Sequence, residues 1–257
     1  MEEIRSHSYA TLSYHPDFHV PYSAHNRQCW THESVFWKLP YWSSLLIRHC
    51  LDVMHIEKNV CDNILATILA IEGKTKDGPR AREALEKRKI RQRQHQSEAE
   101  KKRGKVPHAP FLVKEENREE VFEWFRSARY PLGYAGSLRN KVKLTDKKFY
   151  GLKTHDCHVL LQRLLPVVIR GFLPNKVVKP LIALSNWFRK LCARELSKTD
   201  VQQMESEIVM ILCNLELIFP PHFFTSMVHL MVHIPEQVML TGPVHFTWMY
   251  PTERYMH

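Results

Sequence analysis

Apolar residues between positions 43 and 71 recur at helical spacing rather than in alternation. At 100° per residue, Val53, Val60, Ile64, Ile68 and Ile71 share one arc, which predicts a single long amphipathic helix stopped by Gly73. Asp52, His55, Asn59 and Asp62 form its polar face. Glu57 falls instead inside the apolar arc, between Val53, Val60, Cys61 and Ile64. A carboxylate there must be paired, protonated or bound to a metal, because an isolated buried charge is very costly. An ion pair with an arginine, Arg48 or one from another element, would satisfy it.

The helical period returns in the second half. Residues 114–129 present Val121, Phe122 and Phe125 on one side. Thr154 is placed to cap a helix through His158, Leu161, Leu164 and Leu165, which Pro166 kinks or ends. Residues 175–196 align Leu181, Leu184, Phe188 and Leu191. Residues 200–219 align Met204, Ile208, Ile211, Leu215 and Ile218, with Ser197 or Thr199 as the cap and Pro220 and Pro221 as the stop. A short helix over 223–234 ends at Pro235. No run of alternating strand pattern follows residue 110, and no internal repeat is present. Residues 1–40 have no clear period; Trp30, Phe36, Trp37, Tyr41 and Trp42 make an aromatic cluster suited to core anchoring or to base stacking. The expected fold is mainly α: an irregular aromatic-rich N-terminal segment, one long helix, a basic linker, then a helical bundle. The expected boundaries are 1–72, 73–112 and 113–257, with the last residues ending inside an element.

Charge explains why the middle segment is set apart. The net charge is +10, but residues 73–105 hold 13 Lys and Arg against 5 Asp and Glu, a local +8. Lys87, Arg88, Lys89, Arg91, Arg93, Lys101, Lys102, Arg103 and Lys105 are the candidate nucleic-acid contacts, since neutralising phosphates releases condensed counterions. The alternative is a solvated helix or linker. Lys101-Lys-Arg-Gly-Lys105 is also a weak nuclear import signal, so the expected location is nuclear, otherwise cytoplasmic, and not secreted. Hydrophobic residues at 44% and charged residues at 25% are ordinary for a globular protein. The six cysteines include no Cys-x-x-Cys pair and read as reduced thiols. No apolar run approaches the roughly 20 residues of a membrane span, so no membrane partner is expected.

Two histidine groups are candidate metal ligands. His155 and His158 stand at i and i+3 with Cys157 between them, and zinc accepts such nitrogen and sulfur donors. His229 and His233 stand at i and i+4 on a stripe with His222 and Ser226. Both groups read equally as capping, core or polar-face residues. Without the Glu of a His-Glu-x-x-His motif, there is no protease signal.

Longer blocks carry a resemblance. Phe36-Trp-Lys-Leu-Pro-Tyr-Trp42, Leu51-Asp-Val-Met-His-Ile-Glu-Lys-Asn-Val-Cys-Asp-Asn63 and Ile71-Glu-Gly-Lys-Thr-Lys-Asp77 resemble the plant CACTA (En/Spm-like) transposon protein family. The likeness continues in Gly151-Leu-Lys-Thr-His-Asp-Cys-His-Val-Leu-Leu-Gln-Arg-Leu-Leu-Pro166, Ile218-Phe-Pro-Pro-His-Phe-Phe224 and Trp248-Met-Tyr-Pro-Thr-Glu-Arg-Tyr255. These later blocks are similar to the domain of unknown function that follows the transposase region. The resemblance implies an RNase H-like fold with acidic metal ligands. Asp52 and Glu57 are then the two candidates for its last acid, with His55 assisting. The family's earlier acids and Cys/His segment lie upstream of this sequence, so only vestiges of a catalytic site are expected.

Three functions follow as expectations. One is a transposon-derived, catalytically inactive protein binding DNA through the basic window. Another is part of an active transposase that uses Mg²⁺ or Mn²⁺ with acids from outside this chain. The third is a helical module binding transposase subunits. No cofactor is expected for the chain alone, and no small-molecule substrate is evident.

Overall fold

A computed structural model describes residues 35–131 and 133–256. The chain divides into two compact units, Met1–Arg48 and His49–His257. In the described part of the first, the one-turn helices Val35–Lys38 and Trp42–Ser44 stack Phe36 on Trp42, with ring centroids 4.8 Å apart. Phe36 and Tyr41 are exposed rather than anchored in a core. Trp30 lies outside the described residues.

The second unit is built around α1, Val53–Ile68. It starts ten residues later than its apolar period suggests, because Asp52 is its cap. That residue is extended, and its Oδ1 accepts the Met54 N–H at 3.1 Å. It also ends earlier than Gly73. The Ala70 N–H bonds Thr67 O and the Ile71 N–H bonds Ala66 O, the paired bonds of a Schellman stop. Ala70 takes the left-handed position at φ +50°, where glycine would be expected.

Residues 73–112 pack within the same unit. Pro79 opens α2, Pro79–Lys87, and a Ser97–Glu100 capping box opens α3, Glu98–Arg103. Arg82 of α2 is wholly buried. Its Nε and Nη2 donate to the two oxygens of Asp77 at 2.6 and 2.7 Å, and its remaining donors reach Gln94 and the Pro107 carbonyl. Such a bidentate pair is stable inside only because every donor is used.

The bundle follows. Helix α4, Glu115–Ser127, packs Phe122 and Phe125 against Phe149. Phe149 belongs to a short antiparallel hairpin, β1 Val142–Lys143 and β2 Lys148–Phe149, whose two-residue strands give no readable alternation. Helix α5, Thr154–Val159, is capped by Asp156, which accepts the Lys153 N–H at 2.7 Å; Thr154 is its first residue, not its cap. A π turn over Leu160–Leu164 joins it to α6, Leu165–Val168. Pro166 lacks an N–H and would clash with a carbonyl four residues back, so the local widening fits its position.

Helix α7, Asn175–Leu191, stops five residues short of its expected end, with Cys192 as its C-cap. It packs on α8, Lys198–Glu216, and Trp187 Nε1 donates to Met204 O at 3.0 Å. Ser197 is the α8 cap, accepting the Asp200 N–H. The segment expected as one helix over 223–234 is broken: α9, Ser226–Leu230, and a 3-10 turn Met231–His233 precede α10, Ile234–Thr241. Pro235 opens α10 instead of ending its predecessor. Helix α11, Tyr250–Tyr255, closes the described chain.

Candidate functional site

Helix α1 projects two acids into different surroundings. Asp52 is held as the cap, and its carboxylate also takes the Met249 N–H and pairs with His55. His55, half exposed, reaches Glu253 of α11 at 3.4 Å. This Asp52–His55–Glu253 group lies at the surface.

Glu57 turns inward, as the helical wheel requires, and is 2% exposed. Its partners come from α5 and the π turn rather than from an arginine. His158 Nδ1–H donates to Oε2 at 2.8 Å, and Gln162 Nε2 donates to Oε1 at 2.7 Å. His158 and Gln162 lie four residues apart, so one helical face satisfies both carboxylate oxygens. Cys192 completes the cluster from the end of α7. Ligand-capable atoms of Glu57, His158 and Cys192 lie within 4.8 Å of one another, the one such trio among the described residues.

The surroundings are largely buried and partly unsatisfied. Burial pushes the Cys192 thiol well above its ordinary range, and the Glu57 charge adds to the rise. The Tyr250 hydroxyl is buried without a hydrogen bond of normal geometry. Its pKa is raised by burial, then by the charges of Glu57 and Cys192, and nearby Thr154 offsets part of the rise. Cys61 and Cys157 are both buried beside this region, and the Cys157 thiol donates to Asp62 Oδ1 at 3.7 Å. Burial raises Cys61 well above the usual thiol value, and its neighbour Cys157 raises it further.

The sequence-derived metal candidates separate. His158 joins the cluster, whereas His155 stacks on it with ring centroids 5.9 Å apart and Cys157 faces Asp62. His155 is shifted below the ordinary imidazole value by burial first and by His158 second. His229 and His233 place their Nε2 atoms 3.3 Å apart, with no third ligand alongside among the described residues. Sequence reasoning missed Gln162, Cys192 and Tyr250. None has a local motif, and only the packing of α1, α5, α7 and α11 brings them together.

The residues present do not fit a two-cation centre. Such centres hold ions roughly 3.5–4 Å apart between clustered carboxylates. Here the inward acid of α1 has a hydrogen-bond donor on each oxygen, and Asp52 is tied to backbone N–H groups.

The nine basic candidates also divide. Arg88, Lys89, Arg93, Lys102, Arg103 and Lys105 are exposed and make no ion pair among the described residues. Lys87 pairs with Glu83 at 2.8 Å, and Lys101 pairs with Glu98 at 3.0 Å and Glu86 at 3.1 Å. The Lys101–Glu86 contact sets α3 beside the end of α2, so the exposed cations of both helices share one region. Arg91 is different. At φ +53° it turns inward and donates from Nη1 to Ile218 O at 3.1 Å and Phe219 O at 2.7 Å, and from Nη2 to Glu216 O. It closes the C-terminus of α8, where a cation complements the helix dipole. Lys74, Lys76 and Lys148, not singled out in the sequence, line a groove of about 820 Å³ with Lys58 and Tyr150.

No helix among the described residues is long and apolar enough to cross a membrane. A family model described as a domain of unknown function (DUF4218) matches residues 191–257. That domain is found in plant transposon-related proteins. No curated protein and no solved structure matches the chain. The matched segment begins at the last residue of α7 and carries Cys192 and Tyr250, while Glu57 and His158 precede it.

Proposed function

We propose that this chain is a transposon-derived protein of the CACTA (En/Spm-like) kind, without catalytic activity of its own, that contacts DNA through the cations of α2, α3 and their connection. The observation that supports the non-catalytic half is the engagement of both Glu57 oxygens by His158 and Gln162, with no second carboxylate in the ligand-capable trio found among the described residues. The DNA half rests on six exposed cations, without an ion pair among the described residues, in and around two helices that the Lys101–Glu86 contact sets side by side. The exposed Lys101-Lys-Arg-Gly-Lys105 run is in keeping with nuclear work.

Titrating duplex DNA against salt tests the DNA contact. If all six cations reach phosphate, log K falls against log salt with a slope of about −5. Replacing Arg88, Lys89, Arg93, Lys102, Arg103 and Lys105 with Gln should flatten that slope; an unchanged slope sinks the assignment. Incubation of transposon-end DNA with Mg²⁺ or Mn²⁺ tests the catalytic half. Cleavage by the intact chain that Glu57→Gln abolishes would establish the alternative, an active enzyme centre completed by acids from outside the chain.

A second reading has its own support. Val209, Met210 and Leu217 are exposed on or just after α8, with Leu217 76% exposed. An apolar strip of this kind suits a transposase subunit. Loss of subunit binding in Met210→Lys together with Leu217→Lys, with DNA affinity retained, would favour it.

A further inference from the structure

We infer that Glu57, His158 and Cys192 form a binding site for one zinc-class divalent transition-metal ion. The set offers one carboxylate oxygen, one imidazole nitrogen and one thiolate sulfur, from α1, α5 and the end of α7. Their ligand-capable atoms already lie within 4.8 Å of one another. Zinc bonds of roughly 2.0–2.3 Å place ligands about 3.5–4 Å apart, so side-chain rotation closes the remaining distance.

The donor chemistry chooses the ion. Mg²⁺ and Ca²⁺ take oxygen ligands and keep several of them, whereas a thiolate with an imidazole suits Zn²⁺ or Co²⁺. Charge points the same way. A divalent cation with a carboxylate, a thiolate and a neutral imidazole sums to zero, which a buried site tolerates far better than the bare anions. On binding, Zn²⁺ displaces one proton, that of the Cys192 thiol, while the His158 proton passes from Nδ1 to Nε2 so that the imidazole stays neutral. The thiol proton leaves to solvent, and the freed Nδ1 lone pair, the sulfur and a Glu57 oxygen form the new bonds.

The supporting shell is in place. Gln162 holds Glu57 Oε1 at 2.7 Å and so orients the carboxylate, as outer partners of metal ligands commonly do. The Tyr250 hydroxyl, buried without a hydrogen bond of normal geometry, feels the charges of both Glu57 and Cys192 and so adds a polar group to the surroundings of the three ligands. The ion would tie together elements on both sides of residue 191, the start of the family match. It is distinct from the two-cation chemistry the acids on α1 fail to support.

Titration of the metal-stripped full chain with Co²⁺ tests the site. One equivalent should bring up the near-ultraviolet thiolate-to-cobalt absorption and the visible bands of a four-coordinate ion. Cys192→Ser should remove the thiolate band and weaken binding at least about tenfold, with far-ultraviolet circular dichroism unchanged. Cys213→Ser, on an exposed thiol, should change nothing. A thiolate band that is absent from the wild type, or that persists in Cys192→Ser, overturns the proposal. Should Cys192→Ser fail to fold, alkylation of the wild type decides. One equivalent of Zn²⁺, but not of Mg²⁺, should slow labelling of Cys192 about tenfold or more and leave Cys213 as it was. Equal protection by both ions, or none by Zn²⁺, overturns it.

Discussion

The Glu57 cluster and the basic segment handle charge in opposite ways. Around Glu57, single polar residues from four helices converge on one buried carboxylate and leave little facing water. Across residues 73–105, a dense run of like charge is split by the fold. Arg82 and Arg91 go inward as staples, two lysines pair on the surface, and six cations face solvent. The difference teaches that a count of charge along a sequence measures neither exposure nor role. A sparse polar set can be the functional centre, and part of a dense one can be scaffold.

The sharpest way to break this contrast is within the basic segment itself. Arg82→Ala leaves Asp77 buried without its partner, and unfolding by urea should show a loss of about 3–5 kcal/mol. Gln at Arg88 and Lys89, outside any ion pair, should stay within about 0.5 kcal/mol. Equal effects would erase the inward–outward division.

Next in size is Arg91→Ala. It opens three carbonyls at the end of α8, and its expected cost is about 2 kcal/mol by the same measurement. A neutral outcome would return Arg91 to the group of exposed cations. In the other region, Glu57→Leu in metal-free protein strands the His158 and Gln162 donors, and a loss of about 1–3 kcal/mol is expected. If that variant is instead as stable as the wild type, the cluster is not a polar centre that the fold maintains.

Ala70→Gly should stabilise the chain by about 1 kcal/mol, because the left-handed stop of α1 strains any side chain. Thermal melting reads it directly. The smallest effect lies at Asp200, whose carboxyl is held below its usual value by Ser197 first and Lys190 second. A depressed acid stabilises the fold above the ordinary carboxylate pKa of 3.8, and that contribution is lost as pH falls through the folded value. Asp200→Asn should therefore lower the melting temperature at pH 7 and leave it nearly unchanged at pH 2.

Much of the helical architecture was legible because burial imposes a period on local sequence. The mainly α class, the registers of α4, α7 and α8, the Ser197 cap and the inward turn of Glu57 all follow from spacing at short range. Helix ends were less so. Asp52 and Ala70 set the limits of α1 through side-chain and left-handed bonds that apolar period does not register. The broken 223–234 helix and the two-residue strands carry equally weak local signals.

What the sequence by itself determined is which residues must leave water: an acid in an apolar arc needs a partner, whatever the fold. Only the tertiary structure decided who the partners are. His158 and Gln162 stand 101 and 105 residues from Glu57, and Cys192 sits still farther along the chain. Helix propensity and period act over a few residues, while the packing of α1 against α5 and α7 acts across the whole unit. The same packing sent Arg82 inward to Asp77 and turned Arg91 away from the basic surface to which the charge pattern had assigned it.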